Sequence, residues 1–330
     1  MRIYTVIIAL AGSLAAACSD GSTTSADDDG SFDPVIEVFT NYRGANAEAF
    51  RRVLDDFEEA TGYSTIHVGT AAFAARVRER VDERDVPDVA LFPQPGLIRA
   101  LASDGRLASM ESLDDELTDH IRANFPDVLD PLTVDGELFA MPWRVDVGSL
   151  IWYRPDVFDE LGYRIPESFD DLQALAAQIE LDGGTPWCLT IESFEATGWV
   201  GTDWIEDLVL RTQSLETYDE WATGGISFDD ERIRDAFTTW RDLALRSGRH
   251  FGTVRRILNT PWSAAADPMF DDGPGCLMHR QLGQAYRGEL PAGTTIGPDG
   301  DVAVFVMPGA EADGPSPILL AGEFAAALTS

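Results

Sequence analysis

The chain of 330 residues is 45% hydrophobic, enough for sizeable cores, and its length predicts about two domains. Its formal net charge is −33, from 57 Asp and Glu against 24 basic residues, all of which are Arg. A chain without Lys has neither a Schiff-base lysine nor a Walker A lysine, and so acidic a surface repels phosphate backbones, so nucleic acid is not an expected partner.

Residues 1–17 have the pattern of a secretory signal peptide. A basic residue precedes the apolar run Ile3–Ala11, and small residues then lead to Cys18. The placement of Cys18 directly after an Ala resembles a bacterial lipobox, in which this Cys becomes the lipid-modified N-terminus, although Leu14 stands one place early. Residues 18–34 are small and polar and predict a flexible tether. We therefore expect an extracytoplasmic protein with a lipid anchor in the membrane, in the periplasm or on the outer cell face; simple secretion is the alternative.

Strands and helices alternate through the first third of the chain, which predicts a parallel sheet covered by helices. Ligands of such sheets bind beyond the carboxyl ends of the strands. Arg43 follows the first predicted strand and Gln94 the third, so both are candidate ligand contacts. The predicted strands are 35–40, 64–68 and 86–92, and the predicted helices are 45–61, 71–84 and 96–103.

The rest of the chain repeats both kinds of element after a hairpin signal at Asp135-Gly136. Ser168 begins a capping-box pattern, and Asp203 is the expected N-cap of a helix that starts there. The predicted strands are 148–153, 188–191, 276–279, 302–307 and 318–321, and the other predicted helices are 155–161, 169–180 and 229–246.

The stretch Asp182–Arg211 combines three Trp with several carboxylates between glycine-marked turns. The apolar face of a sugar stacks on an aromatic ring while its hydroxyls donate to carboxylates, so this composition suits a neutral polyhydroxylated ligand. The alternative is an ordinary core, because Trp is more often buried than functional. The Trp residues are Trp187, Trp199 and Trp204, and the acidic residues are Glu192, Glu195, Asp203, Glu206 and Asp207.

Two cysteines remain after Cys18, namely Cys188 and Cys276. In an oxidising exterior an isolated pair favours one disulfide, and two separate free thiols are the alternative.

The chain resembles the extracellular solute-binding proteins of ABC sugar importers, in particular their α-glucoside-binding branch. The resemblance runs from about Val35 onward and rests on several segments in order, after a βα lobe and an Asp-Gly hairpin that leads to Met141-Pro142. These segments are Pro93-Gln94-Pro95-Gly96, Thr185-Pro186-Trp187-Cys188, Ala196-Thr197-Gly198-Trp199, Thr202-Asp203-Trp204-Ile205-Glu206-Asp207, Asp267-Pro268-Met269-Phe270, Pro274-Gly275-Cys276 and His279-Arg280-Gln281.

The resemblance implies a two-lobed α/β periplasmic-binding-protein fold, type II-like, with hinge crossovers, which closes on its ligand. We expect a first lobe at 35–144, a second at 145–317, and a crossover strand at 318–330 that returns to the first lobe. Two features depart from the family. Gly148 stands where similar proteins often carry Lys, and the chain stops at Ser330 although family members continue. We therefore expect a truncated or frameshifted product whose C-terminal part is missing.

The expected function is a monomeric receptor that passes a sugar, an α-glucoside or similar oligosaccharide, to ABC transporter membrane subunits, without a cofactor. Trp199 and Trp204 are candidate stacking rings, each of which could instead pack in a core, and Trp262 could supply a further stacking wall. Asp203 could be a cap or a ligand group, Asp146 a ligand contact or a hinge hydrogen-bonding group, and Glu192 a ligand contact or a surface charge. The planar fork of Arg280 could span two hydroxyls or a partner carboxylate. The full set of predicted ligand contacts is Arg43, Gln94, Asp146, Glu192, Trp199, Asp203, Trp204, Trp262 and Arg280.

Other chemistries fit less well. The four His are scattered without ligand spacing, so no metal site is expected, and no Gly-x-Ser-x-Gly motif occurs. A secreted glycoside hydrolase that uses Glu192 and Asp203 as its carboxylate pair is one alternative, but sequence spacing cannot establish the separation that this chemistry requires. A remnant that no longer transports is the other. We expect a receptor, not an enzyme.

Overall fold

The computed structural model describes residues 35–329, so the predicted signal peptide, Cys18 and the tether lie outside the described residues. By its internal contacts the described chain divides into two compact units. Unit 1 comprises residues 35–145 and 322–329, and unit 2 comprises Asp146–Ala321. Each unit combines a sheet with helices, which confirms the α/β class.

The strands form one sheet of five, one of three and a short hairpin. In the five-stranded sheet the order is β2-β1-β3-β10-β6, with β1 parallel to β2 and β3, and β10 antiparallel to β3. The three-stranded sheet of unit 2 has the order β8-β7-β9 and is antiparallel. The strands are β1 Val35–Thr40, β2 Ser64–Gly69, β3 Val89–Phe92, β4 Thr133–Val134, β5 Glu137–Leu138, β6 Met141–Val147, β7 Leu150–Tyr153, β8 Met278–Arg280, β9 Ala303–Val306 and β10 Leu320–Ala327.

The helices begin and end at residues with the expected local chemistry. Gly62 follows the first helix with φ +79°, a left-handed conformation that glycine adopts readily. Ser168 and Asp171 form a reciprocal capping box. The helices are α1 Gly44–Thr61, α2 Phe73–Glu83, α3 Pro95–Ser103, α4 Met110–Leu113, α5 Asp115–Asn124, α6 Pro155–Leu161, α7 Phe169–Leu181, α8 Trp199–Thr212, α9 Leu215–Ala222, α10 Glu231–Trp240, α11 Val254–Asn259 and α12 Gly283–Arg287.

Each unit has its own hydrophobic core, built from one face of its sheet and the apolar faces of its helices. In unit 1, Phe39, Phe73 and Phe92 pack between the five-stranded sheet and α2. In unit 2, the buried rings Trp187 and Trp204 pack edge to face, with centroids 4.9 Å apart, among the residues of α7, α8 and α10. A cluster of aromatic rings at the head of α8 is therefore partly core.

Two local predictions are wrong. Residues 188–191 form no regular strand, because their backbone groups bond to separate segments: the Cys188 N–H donates to the Met278 carbonyl and the Ile191 N–H to the Ile257 carbonyl. Asp203 is not an N-cap. Gly198, with φ +108°, caps α8 and accepts from the Thr202 N–H, so Asp203 lies one turn inside the helix.

Several boundaries also differ. The long helix predicted at 229–246 is α10, capped by the Asp230 side chain and followed by a π-turn at Arg241–Leu245. The strand predicted at 318–321 is β10, which continues to Ala327 and pairs Phe324 with Phe92. Within residues 35–329, no helix combines the length and the apolar character needed to cross a membrane.

Candidate functional site

Two tryptophans lie together at the head of α8 in unit 2. The rings of Trp199 and Trp262 contact edge to face, with centroids 5.3 Å apart and an interplanar angle of 75°, and both are only partly buried. Trp199 is the first residue of α8, and Trp262 begins a 3-10 turn. The two rings therefore form an aromatic corner, defined by Trp199 and Trp262, that stays in part accessible.

The backbone brings Glu192 to this aromatic corner. The Gly198 N–H donates to the Ile191 carbonyl at 3.0 Å, so the intervening loop returns to its starting point. The Trp262 N–H donates to the Glu192 carbonyl, also at 3.0 Å. The Glu192 carboxylate accepts from the Phe194 N–H at 2.7 Å and is partly exposed, which leaves acceptor capacity for a hydroxyl donor.

Asp203 is placed one helical turn after Trp199, and residues four apart share a helix face. Its side chain is 18% exposed, and its Oδ2 lies 3.6 Å from Arg280 Nη1. Burial raises the pKa of Asp203 to about 7; the Arg280 charge opposes this rise, whereas Glu206 and Asp207 add to it. The structure thus brings together four predicted contacts: Glu192, Trp199, Asp203 and Trp262.

The Arg280 guanidinium is more deeply buried than a group that contacts a ligand would be. Its side chain is fully buried, and its Nε and Nη2 donate to Asp207 Oδ2 at 3.1 and 2.8 Å. Asp207 Oδ1 also accepts from Ser149 Oγ at 2.6 Å and lies 3.3 Å from Arg211 Nη2. Two nitrogens of the Arg280 guanidinium are thus bound to Asp207, and the third, Nη1, lies 3.6 Å from Asp203 without a hydrogen bond.

Trp204 belongs to the core of unit 2. It is 1% exposed, and its ring contacts Trp187, Trp240 and the Arg280 guanidinium. A ring enclosed in this way has no open face on which a sugar can stack. Trp204 therefore packs in the core, which is the alternative to sugar stacking that the sequence allowed for this ring.

Asp146 is likewise engaged with the protein. It is 5% exposed, and its Oδ2 accepts from the Ala285 N–H at 3.1 Å, in the first turn of α12. This hydrogen bond anchors the start of α12 to the end of β6, where Asp146 is the penultimate residue. In this structure Asp146 is a backbone-binding group of unit 2.

In unit 1, the two predicted contacts occupy the strand ends that the sequence indicated. Arg43 and Gln94 are exposed and stand directly before α1 and α3, at N-cap positions with extended backbone. They follow β1 and β3, which are adjacent and parallel, so both lie at one edge of the sheet.

Sequence reasoning missed a polar cluster at the same edge of unit 1. The Tyr42 hydroxyl donates to Glu323 Oε2, and Arg144 Nη2 donates to Glu323 Oε1 at 3.2 Å. Burial is the main cause that holds the pKa of Tyr42 well above its usual range, and the Glu323 charge adds to it. Tyr42 lies in the loop after β1, next to the predicted contact Arg43. Glu323, however, comes from β10, far along the chain, and no local pattern could have linked the two.

The predicted disulfide between Cys188 and Cys276 is confirmed. The S–S distance is 2.05 Å, the Cα atoms are 5.3 Å apart, and both residues are buried. The bond joins the segment before the aromatic corner to the residues just before β8, the strand that carries Arg280. It therefore holds the segment that leads to Glu192 next to the strand whose Arg280 lies behind Asp203.

The side chains at this site are suited to ligand binding. Partly exposed rings and carboxylate oxygens can stack on a ligand and accept its hydroxyl protons. Among residues 35–329, no group of three or more His, Cys, Asp or Glu side chains is arranged to hold a metal ion.

Comparison with known proteins gives consistent results. The family model described as bacterial extracellular solute-binding protein matches residues 44–248. The chain is 35% identical to the osmoprotective compounds-binding protein GgtB of Synechocystis, over 98% of this chain and 74% of that protein. It is 33% identical to the alpha-glucosides-binding periplasmic protein AglE of Rhizobium meliloti, over 88% of this chain and 64% of that one. A solved structure titled chitin oligosaccharide binding protein matches with a TM-score of 0.71 at 18% identity, over 89% of this chain and 72% of that chain, and shows the same fold.

Proposed function

We propose that this chain, which belongs to the bacterial extracellular solute-binding protein family, is an extracytoplasmic receptor. Its ligand is a carbohydrate, which it binds for an ABC transporter. The observation that carries the proposal is the aromatic corner of Trp199 and Trp262, with the carboxylates of Glu192 and Asp203 beside it. Such a corner stacks the apolar face of a sugar while carboxylates accept its hydroxyls.

The ligand class that we propose is a small α-glucoside. The family resemblance of the sequence supports it, as does the name of the Rhizobium relative, which describes an α-glucoside-binding protein. Arg43 and Gln94 in unit 1 and Glu192, Trp199, Asp203 and Trp262 in unit 2 are the proposed contacts. Exposed or partly exposed side chains of this kind supply both hydrogen-bond donors and acceptors to sugar hydroxyls.

Export and anchoring belong to the same proposal. Residues 1–17 would direct the chain out of the cytoplasm, and Cys18 would carry the lipid anchor. A receptor held at the membrane surface by a tether stays near the transporter's membrane subunits, at a raised effective concentration.

Isothermal titration calorimetry with a panel of maltose, trehalose, sucrose, galactose and glycine betaine tests this function. We expect saturable binding of at least one α-glucoside without turnover. Trp199→Ala and Trp262→Ala should each weaken this binding roughly three- to tenfold, because each removes one stacking face. Trp221→Ala, in α9 outside the aromatic corner, is the matched control and should bind normally. Glucose release from an α-glucoside, or no binding of any sugar, would refute the receptor proposal.

A further inference from the structure

Five charged side chains of unit 2 form a cluster behind the aromatic corner: Asp203, Glu206, Asp207, Arg211 and Arg280. The side chains of Asp207, Arg211 and Arg280 are fully buried, Asp203 is 18% exposed, and Glu206 is partly buried. Three carboxylates face two guanidiniums, so the fully ionised cluster would hold one excess negative charge at low dielectric. An unbalanced buried charge is costly, and groups in such surroundings take up a proton instead.

Hydrogen-bond donors decide which carboxylate holds that proton. Asp207 receives the donors of Ser149 and Arg280 and lies 3.3 Å from the Arg211 guanidinium, so it has the most hydrogen-bond and charge partners of the three. Glu206 accepts from the Tyr218 hydroxyl at 2.9 Å. These two carboxylates therefore have hydrogen-bond partners for their charge.

Asp203 is the least supported carboxylate of the cluster. Its Oδ2 is buried and accepts no hydrogen bond, and Arg280 Nη1, 3.6 Å away, is likewise buried without a hydrogen-bond partner. The titratable groups around Asp203 are Arg280 from β8, Tyr218 from α9, and Glu206 and Asp207 from α8 itself. From α10, the Trp240 ring packs at Gly201 and brings no charge.

We propose that Asp203 carries a proton in the sugar-free protein at neutral pH and releases it to solvent when a sugar hydroxyl donates to its carboxylate. The release of the proton on sugar binding rests on the proposed function. The protonation of Asp203 in the sugar-free protein rests on the charged cluster alone. Hydrogen bonds to the charged form favour ionisation, so sugar affinity rises as the pH rises through neutrality. The raised pKa of Asp203, about 7, agrees with the donor count.

The first test needs no ligand and compares the melting temperatures of Asp203→Asn and the unaltered protein between about pH 4 and about pH 8. A carboxyl whose pKa is raised by folding contributes stability that is present below its unfolded pKa and is lost as the pH rises towards its folded pKa. Asn imitates the protonated form at every pH. The variant should therefore gain stability relative to the unaltered protein from about pH 4 to about pH 7, and the difference should then stay constant.

Two further variants make this test specific. Glu216→Gln, at an exposed carboxylate in α9, should show a constant difference across the same range. Glu206→Gln examines the other candidate for the proton. A constant difference for Asp203→Asn overturns the proposal, and so does a rising difference for Glu206→Gln alone.

The second test is calorimetry with maltose, or with whichever panel sugar binds, at neutral pH in phosphate and in Tris. These buffers differ in ionisation enthalpy, so the heats at about pH 7 should reveal release of up to about half a proton per sugar bound, because a group with a pKa of about 7 is half protonated there, and no release for Asp203→Asn. The dissociation constant should fall by up to about tenfold per pH unit below the folded pKa.

The two tests separate the claims. A sugar that binds without proton release leaves the receptor proposal standing and overturns this inference. If no panel sugar binds at any pH, proton release on binding is refuted together with the proposed function, and the ligand-free curves alone decide the protonation of Asp203.

Discussion

At the scale of single residues, the sequence predicted which side-chain types lie at the site better than it predicted how deeply each one is buried. Trp199 and Trp204 are five positions apart in one motif, yet one is partly exposed and the other is 1% exposed. Depth is set by what packs on the helix, here the Trp187 and Trp240 rings, which come from other parts of the chain. For the same reason the sequence could nominate Arg280 but could not show that its fork belongs to Asp207.

His279 makes unit 2 sensitive to acid. It is 1% exposed, and its Nδ1 donates to the Cys188 carbonyl at 2.8 Å. Burial is the main cause that lowers its pKa to about 4. A base whose pKa is lowered by folding contributes stability above its unfolded pKa and loses it as the pH falls. We expect about 3 kcal/mol of stability to be lost between about pH 6.5 and about pH 4.

Urea unfolding of His279→Gln across this range measures the effect. The variant keeps a donor for the Cys188 carbonyl and should lose the corresponding part of the pH dependence. His120→Gln, at an exposed position in α5, is the matched control and should keep the slope of the unaltered protein. Parallel slopes for His279→Gln and the unaltered protein would contradict the assignment.

At the scale of elements, the sequence was most informative where chemistry is local. The Gly62 helix end, the Ser168 capping box and the Asp135-Gly136 hairpin turn all appear where they were expected. The predictions failed where partners come from afar. Residues 188–191 have a strand-like composition, but their hydrogen-bond partners lie on separate segments, so no ladder forms.

The disulfide is the element-scale interaction whose removal should cost most. It joins residues 88 apart in sequence, and the loop-entropy model gives a stabilisation of about 4 to 5 kcal/mol for a loop of this size. The double variant Cys188→Ala, Cys276→Ala should therefore shift the urea midpoint strongly downward. The unaltered protein measured with a reducing agent should show the same shift. A change below about 1 kcal/mol would mean that the unfolded chain is little constrained by this bond.

At the scale of the whole molecule, charge is the dominant property. The sequence carries 57 acidic residues against 24 Arg, and many exposed carboxylates repel one another. Salt screens this repulsion. The screening length is about 10 Å at about 0.1 M salt and becomes shorter as the salt concentration rises. We therefore expect the melting temperature to rise by several degrees when NaCl is raised from about 0.05 M to about 0.5 M.

A charge-reduced variant provides the control for this prediction. Glu59, Asp82, Asp127 and Glu216 are exposed, and their replacement by the corresponding amides removes four negative charges. The salt-induced rise should be smaller in this variant. A fall in melting temperature with salt in the unaltered protein would show that attractive ion pairs outweigh repulsion.

The position of β10 in the five-stranded sheet has a consequence for the order of folding. Unit 2 is one continuous stretch of chain, whereas unit 1 needs residues 322–329 to place β10 beside β3. Because the chain is made from its N-terminus, β1 to β3 exist long before β10, which follows residues 146–319 in the sequence. Until β10 pairs with β3, the apolar faces of the earliest-made strands are vulnerable to aggregation.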